Sequence, residues 1–194
     1  MQKMMNLIYL HGFQSGPLSV KGQWLKHYAE SQNNVKIHLP DLNMPPLEVM
    51  QYLEGMIHAL DNVALVGSSL GGFYATQLVA KYSVPAVLIN PAMRPWQLFE
   101  ELFGDGQIPY KVTDTWTLNH AQLEDLEQLA VPFVQDADKI MVLLQQGDEV
   151  LDYRVAERYY KRSLLICESN GNHAMDDFQS KIPMALRFLS DSIK

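Results

Sequence analysis

The sequence predicts an α/β protein with a doubly wound, mostly parallel sheet of about six strands and helices on both faces. Three observations point there. Leu7–Leu10, Val35–Leu39, Val63–Val66, Ala86–Ile89, Ile140–Leu144 and Leu164–Cys167 are short runs, nearly continuous in hydrophobic residues. Such runs, lacking the alternation of a half-wet strand, suit parallel strands covered on both faces. Longer amphipathic stretches separate them, and strand–helix–strand repetition in one sheet implies right-handed crossovers. With 194 residues, 47% apolar and 19% charged, the chain can bury the core such a sheet needs.

Taken in order, Leu7–Leu10 runs into the turn His11-Gly12, and the first helical pattern covers about Lys21–Ser31. Val35–Leu39 is followed by a stiff loop, Pro40-Asp41-Leu42-Asn43-Met44-Pro45-Pro46, and by a helix over Pro46–Leu60. Val63–Val66 feeds a glycine-rich turn and a helix over Leu70–Tyr82. After Ala86–Ile89 the rhythm breaks. Between Asn90 and Lys139 no run reads as a strand, and Trp96, Phe99, Phe103, Tyr110 and Trp116 are interspersed with Pro, Gly and acidic residues. Residues 90–138 read either as a small lid-like excursion or as a helix and loop covering the sheet edge. Ile140–Leu144, a helix over Tyr153–Arg162, Leu164–Cys167 and a helix over Ile182–Ile193 complete a single domain spanning 1–194.

The formal charge of −7, from 15 basic and 22 acidic residues, comes without any Lys/Arg cluster. That argues against nucleic acid as the main partner. One cysteine, Cys167, excludes an internal disulfide; in its apolar run it reads as an inert buried thiol. The start, MQKMMNLIYLHG, lacks the basic region, apolar length and cleavage site of a secretory signal. No apolar run approaches the ~20 residues of a membrane span. The expectation is a cytoplasmic protein with no membrane partner.

The stretch LVGSSLGG, Leu65–Gly72, carries the chemistry. Gly67 and Gly72 have P-loop spacing, but Phe73 and Tyr74 stand where that motif needs Lys and Ser/Thr. The dinucleotide pattern fails because Ser69 occupies its second glycine. Gly67-Ser68-Ser69-Leu70-Gly71 does fit G-x-S-x-G between a strand and a helix. There the central serine turns so sharply that flanking residues must be glycine, and its side chain projects from the sheet. Ser69 is that residue; Ser68 is a neighbour that packs or hydrogen-bonds locally. A glycine-rich turn with an inert serine is the competing explanation of the pentapeptide alone.

An activated serine needs a base, and the base needs a carboxylate, here in the chain order Ser, Asp/Glu, His. Gln145–Tyr153 and Glu168–Ala174 follow the last two strands and supply Asp148 and His173 at the same sheet edge as Ser69. Asp152 rivals Asp148 but sits where it would cap the next helix. His27, His38, His58 and His120 lie on helices, a strand or the irregular interval, and read as structural or solvated. Backbone donors for a developing oxyanion fall to the N–H groups of Leu70 and Phe13, with Gly12 allowing close approach. His11-Gly12 is otherwise an ordinary strand-ending turn. No metal or cofactor motif stands out.

LIYLHG (Leu7–Gly12), GSSLGG (Gly67–Gly72), NPAMRP (Asn90–Pro95), QQGDEVLDYR (Gln145–Arg154) and GNHA (Gly171–Ala174) resemble the YqiA-like bacterial esterases of the α/β-hydrolase superfamily. The resemblance implies a compact α/β-hydrolase with serine esterase activity, no cofactor, and Ser69, Asp148 and His173 as nucleophile, acid and base. Two strands usual at the start of that fold are missing, which shortens the sheet without touching the catalytic edge. The expected substrate is a small molecule, an ester or thioester of a small to medium acyl group. The aromatic residues after Asn90 suggest an apolar acyl pocket. His11 and Gly12 stand near it, and Arg94 would meet an anionic group, such as acyl-CoA phosphates, or form a surface salt bridge. The alternative is a binding or interaction module on the same fold with an idle triad.

Overall fold

The computed structural model describes residues 3–193. In chain order, β1 (Met5–Leu10), α1 (Val20–Glu30), β2 (Val35–His38), α2 (Pro46–Ala59), β3 (Val63–Ser68), α3 (Leu70–Tyr82) and β4 (Ala86–Ile89) come first. An excursion follows: α4 (Pro95–Gln107), the two-residue strands β5 (Tyr110–Lys111) and β6 (Thr117–Leu118), and α5 (His120–Leu129). The chain returns with β7 (Ile140–Gln145), α6 (Tyr153–Tyr159), β8 (Leu164–Glu168) and α7 (Ile182–Ser192).

Six strands pair in parallel in the order β2-β1-β3-β4-β7-β8, an α/β-hydrolase sheet. Side chains of a strand alternate between faces, so each apolar run serves two cores. Ile8, Leu10, Leu65, Leu88, Val142 and Leu144 pack under α2, α3, α5 and α6. Leu7, Tyr9, Ala64, Val66, Val87 and Leu143 pack under α1 and α7. No helix among the described residues is long and apolar enough to cross a membrane.

β1 pairs with β2 on one side and β3 on the other, so the loops after β1 and β3 part at a topological switch. Open α/β sheets bind ligands at such a crevice. β8 lies three strand spacings from β3, about 14 Å. Its following loop must reach back across β7 and β4 to meet anything placed at β3.

Three expectations change. β2 and β8 are the two edges and only partly covered, and Leu164 is 50% exposed. An apolar run shows that a strand belongs to the sheet without showing where in it. Cys167 is accordingly half-buried, its thiol pushed up by the burial it has. α6 stops at Tyr159, short of Arg162; Tyr160 turns into the core, where its hydroxyl meets Thr76 Oγ1 at 2.7 Å. The interval after Asn90 is a helix, a small antiparallel hairpin and a second helix. α4 breaks at Gly104, with φ +59°. Phe99, Trp116, Leu123 and Leu126 tie this excursion to the core of one sheet face.

Candidate active site

Ser69 joins β3 to α3 with φ 54° and ψ −116°, a backbone region that side-chain-bearing residues rarely adopt. The turn is tight enough to dictate its glycines. A Cβ on Gly67 would stand 2.5 Å from the Gly71 carbonyl oxygen, and one on Gly71 would overlap the Leu10 carbonyl. The Ser69 carbonyl accepts from the Gly72, Phe73 and Ala92 N–H groups, anchoring the turn to α3 and to the loop after β4. Ser68 is buried, and burial pushes the Tyr9 hydroxyl up to about 12.

Ser69, His173 and Asp148 form one hydrogen-bonded chain. His173 Nε2 lies 3.0 Å from Ser69 Oγ, and His173 Nδ1 lies 2.9 Å from Asp148 Oδ2. A carboxylate accepts, so Nδ1–H donates to Asp148 and Nε2 is left to accept from the serine hydroxyl. The Asp148 side chain is 2% exposed and also accepts from the Val150 and Leu151 N–H groups, which fix its plane. Asp152 does the other job: it caps α6 through the Arg154 N–H and pairs with the Arg154 guanidinium, 44% exposed. That pairing holds its carboxyl below the usual range.

Three side chains that sequence reasoning passed over, Asn90, Gln145 and Glu149, hold the histidine loop. Asn90, buried and at φ 39°, donates through Nδ2 to the carbonyls of Asn172 and His173, each at 3.0 Å. Its Oδ1 accepts from the Gln145 N–H at 3.1 Å. The Gln145 side chain accepts from the Asn172 N–H and donates to Glu168 and Asp177. Asp177 in turn is held low by its hydrogen bond to Lys181. Glu149 accepts from the His173 N–H at 2.9 Å. The available signal was an Asn directly after a strand, since Asn tolerates positive φ better than most residues. Gly171, at φ +90°, leaves room for Gln145, whose side chain a Cβ would overlap.

Leu70 opens α3, so its N–H has no intrahelical acceptor. Among the described residues, Phe13 N–H likewise donates to no protein acceptor. Leu70 directly follows Ser69 in the chain, and Phe13 lines a cavity of about 640 Å³ together with Gly12, Ser69 and His173. Leu98, Phe99, Leu102 and Val150 give it an apolar wall.

Two expected substrate contacts lie elsewhere. His11 is 3% exposed and does not line this cavity. Its Nδ1–H donates to the Gly12 carbonyl, and its Nε2 accepts from the Leu42 N–H at 2.9 Å. Both nitrogens are spent on fixing the turn. Arg94 is exposed and lines two neighbouring grooves of about 500 and 340 Å³, and it makes no salt bridge among the described residues. No three His, Cys, Asp or Glu residues among those described gather as a metal-binding group.

A family model described as uncharacterised protein family UPF0227 matches residues 6–190. The fold is shared with Est1E from Butyrivibrio proteoclasticus: TM-score 0.74, 14% identity, covering 100% of this chain and 90% of that one. Alpha/beta hydrolase domain-containing protein 10 from mouse gives a TM-score of 0.75 at 13% identity, covering 97% of this chain and 90% of that one. Carboxylesterase CesB (YbfK) from Bacillus subtilis gives 0.57 at 14% identity, covering 98% and 84%.

Proposed function

The chain belongs to the UPF0227 family, and from that footing we propose that it is a serine hydrolase of carboxylic esters or thioesters carrying small to medium acyl groups. One observation carries this reading: the continuous hydrogen bonding from Ser69 Oγ through His173 to the buried Asp148 carboxylate. His173 Nε2 takes the proton as Ser69 Oγ attacks the carbonyl carbon. The oxygen becomes an alkoxide held by the Leu70 and Phe13 N–H groups. Collapse expels the alcohol or thiol, which takes the proton back from His173, leaving an acyl-serine. A water, deprotonated by His173, then repeats the sequence and frees the acid. Asp148 holds the imidazole tautomer and stabilises its cation throughout.

The family resemblance in the sequence and the esterases among the structural neighbours support the same class. A binding module would have no use for Ser69 at positive φ beside an imidazole, and that conformation carries a cost of order 1–3 kcal/mol. Ser69→Ala is expected to lower kcat on p-nitrophenyl butyrate by about 10⁵-fold or more while leaving the melting temperature unchanged. A fluorophosphonate probe should modify wild-type Ser69. A folded Ser69→Ala protein with wild-type turnover would remove this reading.

A further inference from the structure

We propose that Phe103 and Tyr110 are positioning residues for the oxyanion hole, holding the Phe13 amide in place through the Phe13 ring and the neighbouring Gln14. The proposal rests on the hydrolase reading above and adds a role for the excursion after β4. The Phe13 ring is caged by four others. Its centroid lies 4.6 Å from Phe99, 6.0 Å from Phe103, 6.5 Å from Tyr110 and 6.0 Å from Trp116. Behind it Phe103 and Tyr110 stack with centroids 4.2 Å apart. Gln14 has φ 57°, and its Nε2 donates to the Tyr110 hydroxyl at 2.8 Å. Both residues after Gly12 are thus fastened to Tyr110, one by its ring and one by its amide.

An oxyanion donor must stand about 2.7–3.1 Å from the developing charge, and a turn containing glycine does not hold that position unaided. On one side the turn abuts β3, where a Cβ on Gly12 would be 3.3 Å from the Ser68 carbonyl oxygen. On the other side the Phe13 ring rests on Phe99, Trp116 and the Phe103–Tyr110 stack. Phe13 and Phe99 line the cavity, whereas Phe103 and Tyr110 do not. Substrate at Ser69 reaches the first pair and not the second. An effect of Phe103 on chemistry therefore passes through Phe13 or Phe99, on which it also stacks, and an effect of the Tyr110 hydroxyl passes through Gln14.

The test measures p-nitrophenyl acetate hydrolysis and inhibition by phenyl trifluoromethyl ketone for the wild type, Tyr110→Phe and Phe103→Leu. The ketone adds Ser69 Oγ to its carbonyl carbon and places an alkoxide in the hole. Each variant is expected to lose about tenfold in kcat with KM within about twofold, and ketone affinity should fall by the factor lost in kcat/KM. Tyr110→Phe keeps the ring and removes only the Gln14 bond, so it decides the matter if Phe103→Leu fails to fold. Tyr110→Phe with wild-type kcat, a kcat loss unmatched by ketone affinity, or an effect confined to KM would overturn the proposal. A folded wild type inert to both acetate and ketone would remove the hydrolase reading and this proposal with it.

Discussion

Asp148 and Asp152, four residues apart on one loop, show how surroundings assign work to identical side chains. Asp148 is sealed off, with two backbone donors on one oxygen and the imidazole against its edge. Asp152 is open to solvent and answers only to Arg154 and the start of α6. Replacing Asp148 by Asn would keep the accepting oxygen for Val150 and Leu151 but turn an N–H₂ towards His173 Nδ1. That forces the proton to Nε2, where it blocks Ser69. On the serine-protease precedent kcat should fall about 10³–10⁴-fold with little change in KM. Asp152→Asn should leave kcat within about threefold, because an exposed cap and ion pair act locally. The pair of variants, assayed on one ester, assigns the carboxylate; equal losses in both would contradict the assignment.

Elements deliver those residues, and some of the delivery was readable in advance. The six strands announced themselves as apolar runs, and the loops after β3, β7 and β8 offered, in chain order, Ser69, Asp148 and His173, which the fold brings into one hydrogen-bonded chain. Strand order was not readable, because hydrophobicity reports burial and not neighbours; hence β2 and β8 as half-covered edges. β5 and β6 escaped because two residues carry no period. Asn90 escaped for a different reason: its value lies in three bonds to residues 55 to 83 positions away, none visible locally. Asn90→Ala would strand the Asn172 and His173 carbonyls and the Gln145 N–H at the root of the histidine loop. We expect a loss of about 1–3 kcal/mol in unfolding free energy. Fluorophosphonate labelling of Ser69 should slow by about tenfold or more, since small misplacements of a catalytic group are costly. Wild-type labelling together with wild-type stability would show that the loop holds itself.

For the whole molecule, two histidines tie stability to pH, His11 buried and His38 half-buried on an edge strand. Burial lowers the pKa of His11, against the Gly12 carbonyl and Asp41, which raise it. Burial and then Lys36 lower that of His38. A histidine depressed in the folded state takes up its proton more readily when unfolded. Its contribution to stability is therefore complete above the unfolded value of about 6.5 and is lost as pH falls below that value towards the folded one. His11 has a structural reason to resist: protonation at Nε2 would set an N–H against the Leu42 N–H, which now donates to it. Urea unfolding at pH 7.5 and 5.5 should show the wild type losing stability across this window, which lies above the ordinary carboxylate range. Each proton involved adds a slope of up to about 1.4 kcal/mol per pH unit. His11→Gln, less stable at pH 7.5, should lose visibly less on acidification because one titrating group is gone. Parallel losses in the two proteins would place the acid sensitivity outside the β1 turn and show that His11 need not stay neutral to hold its bonds to Gly12 and Leu42.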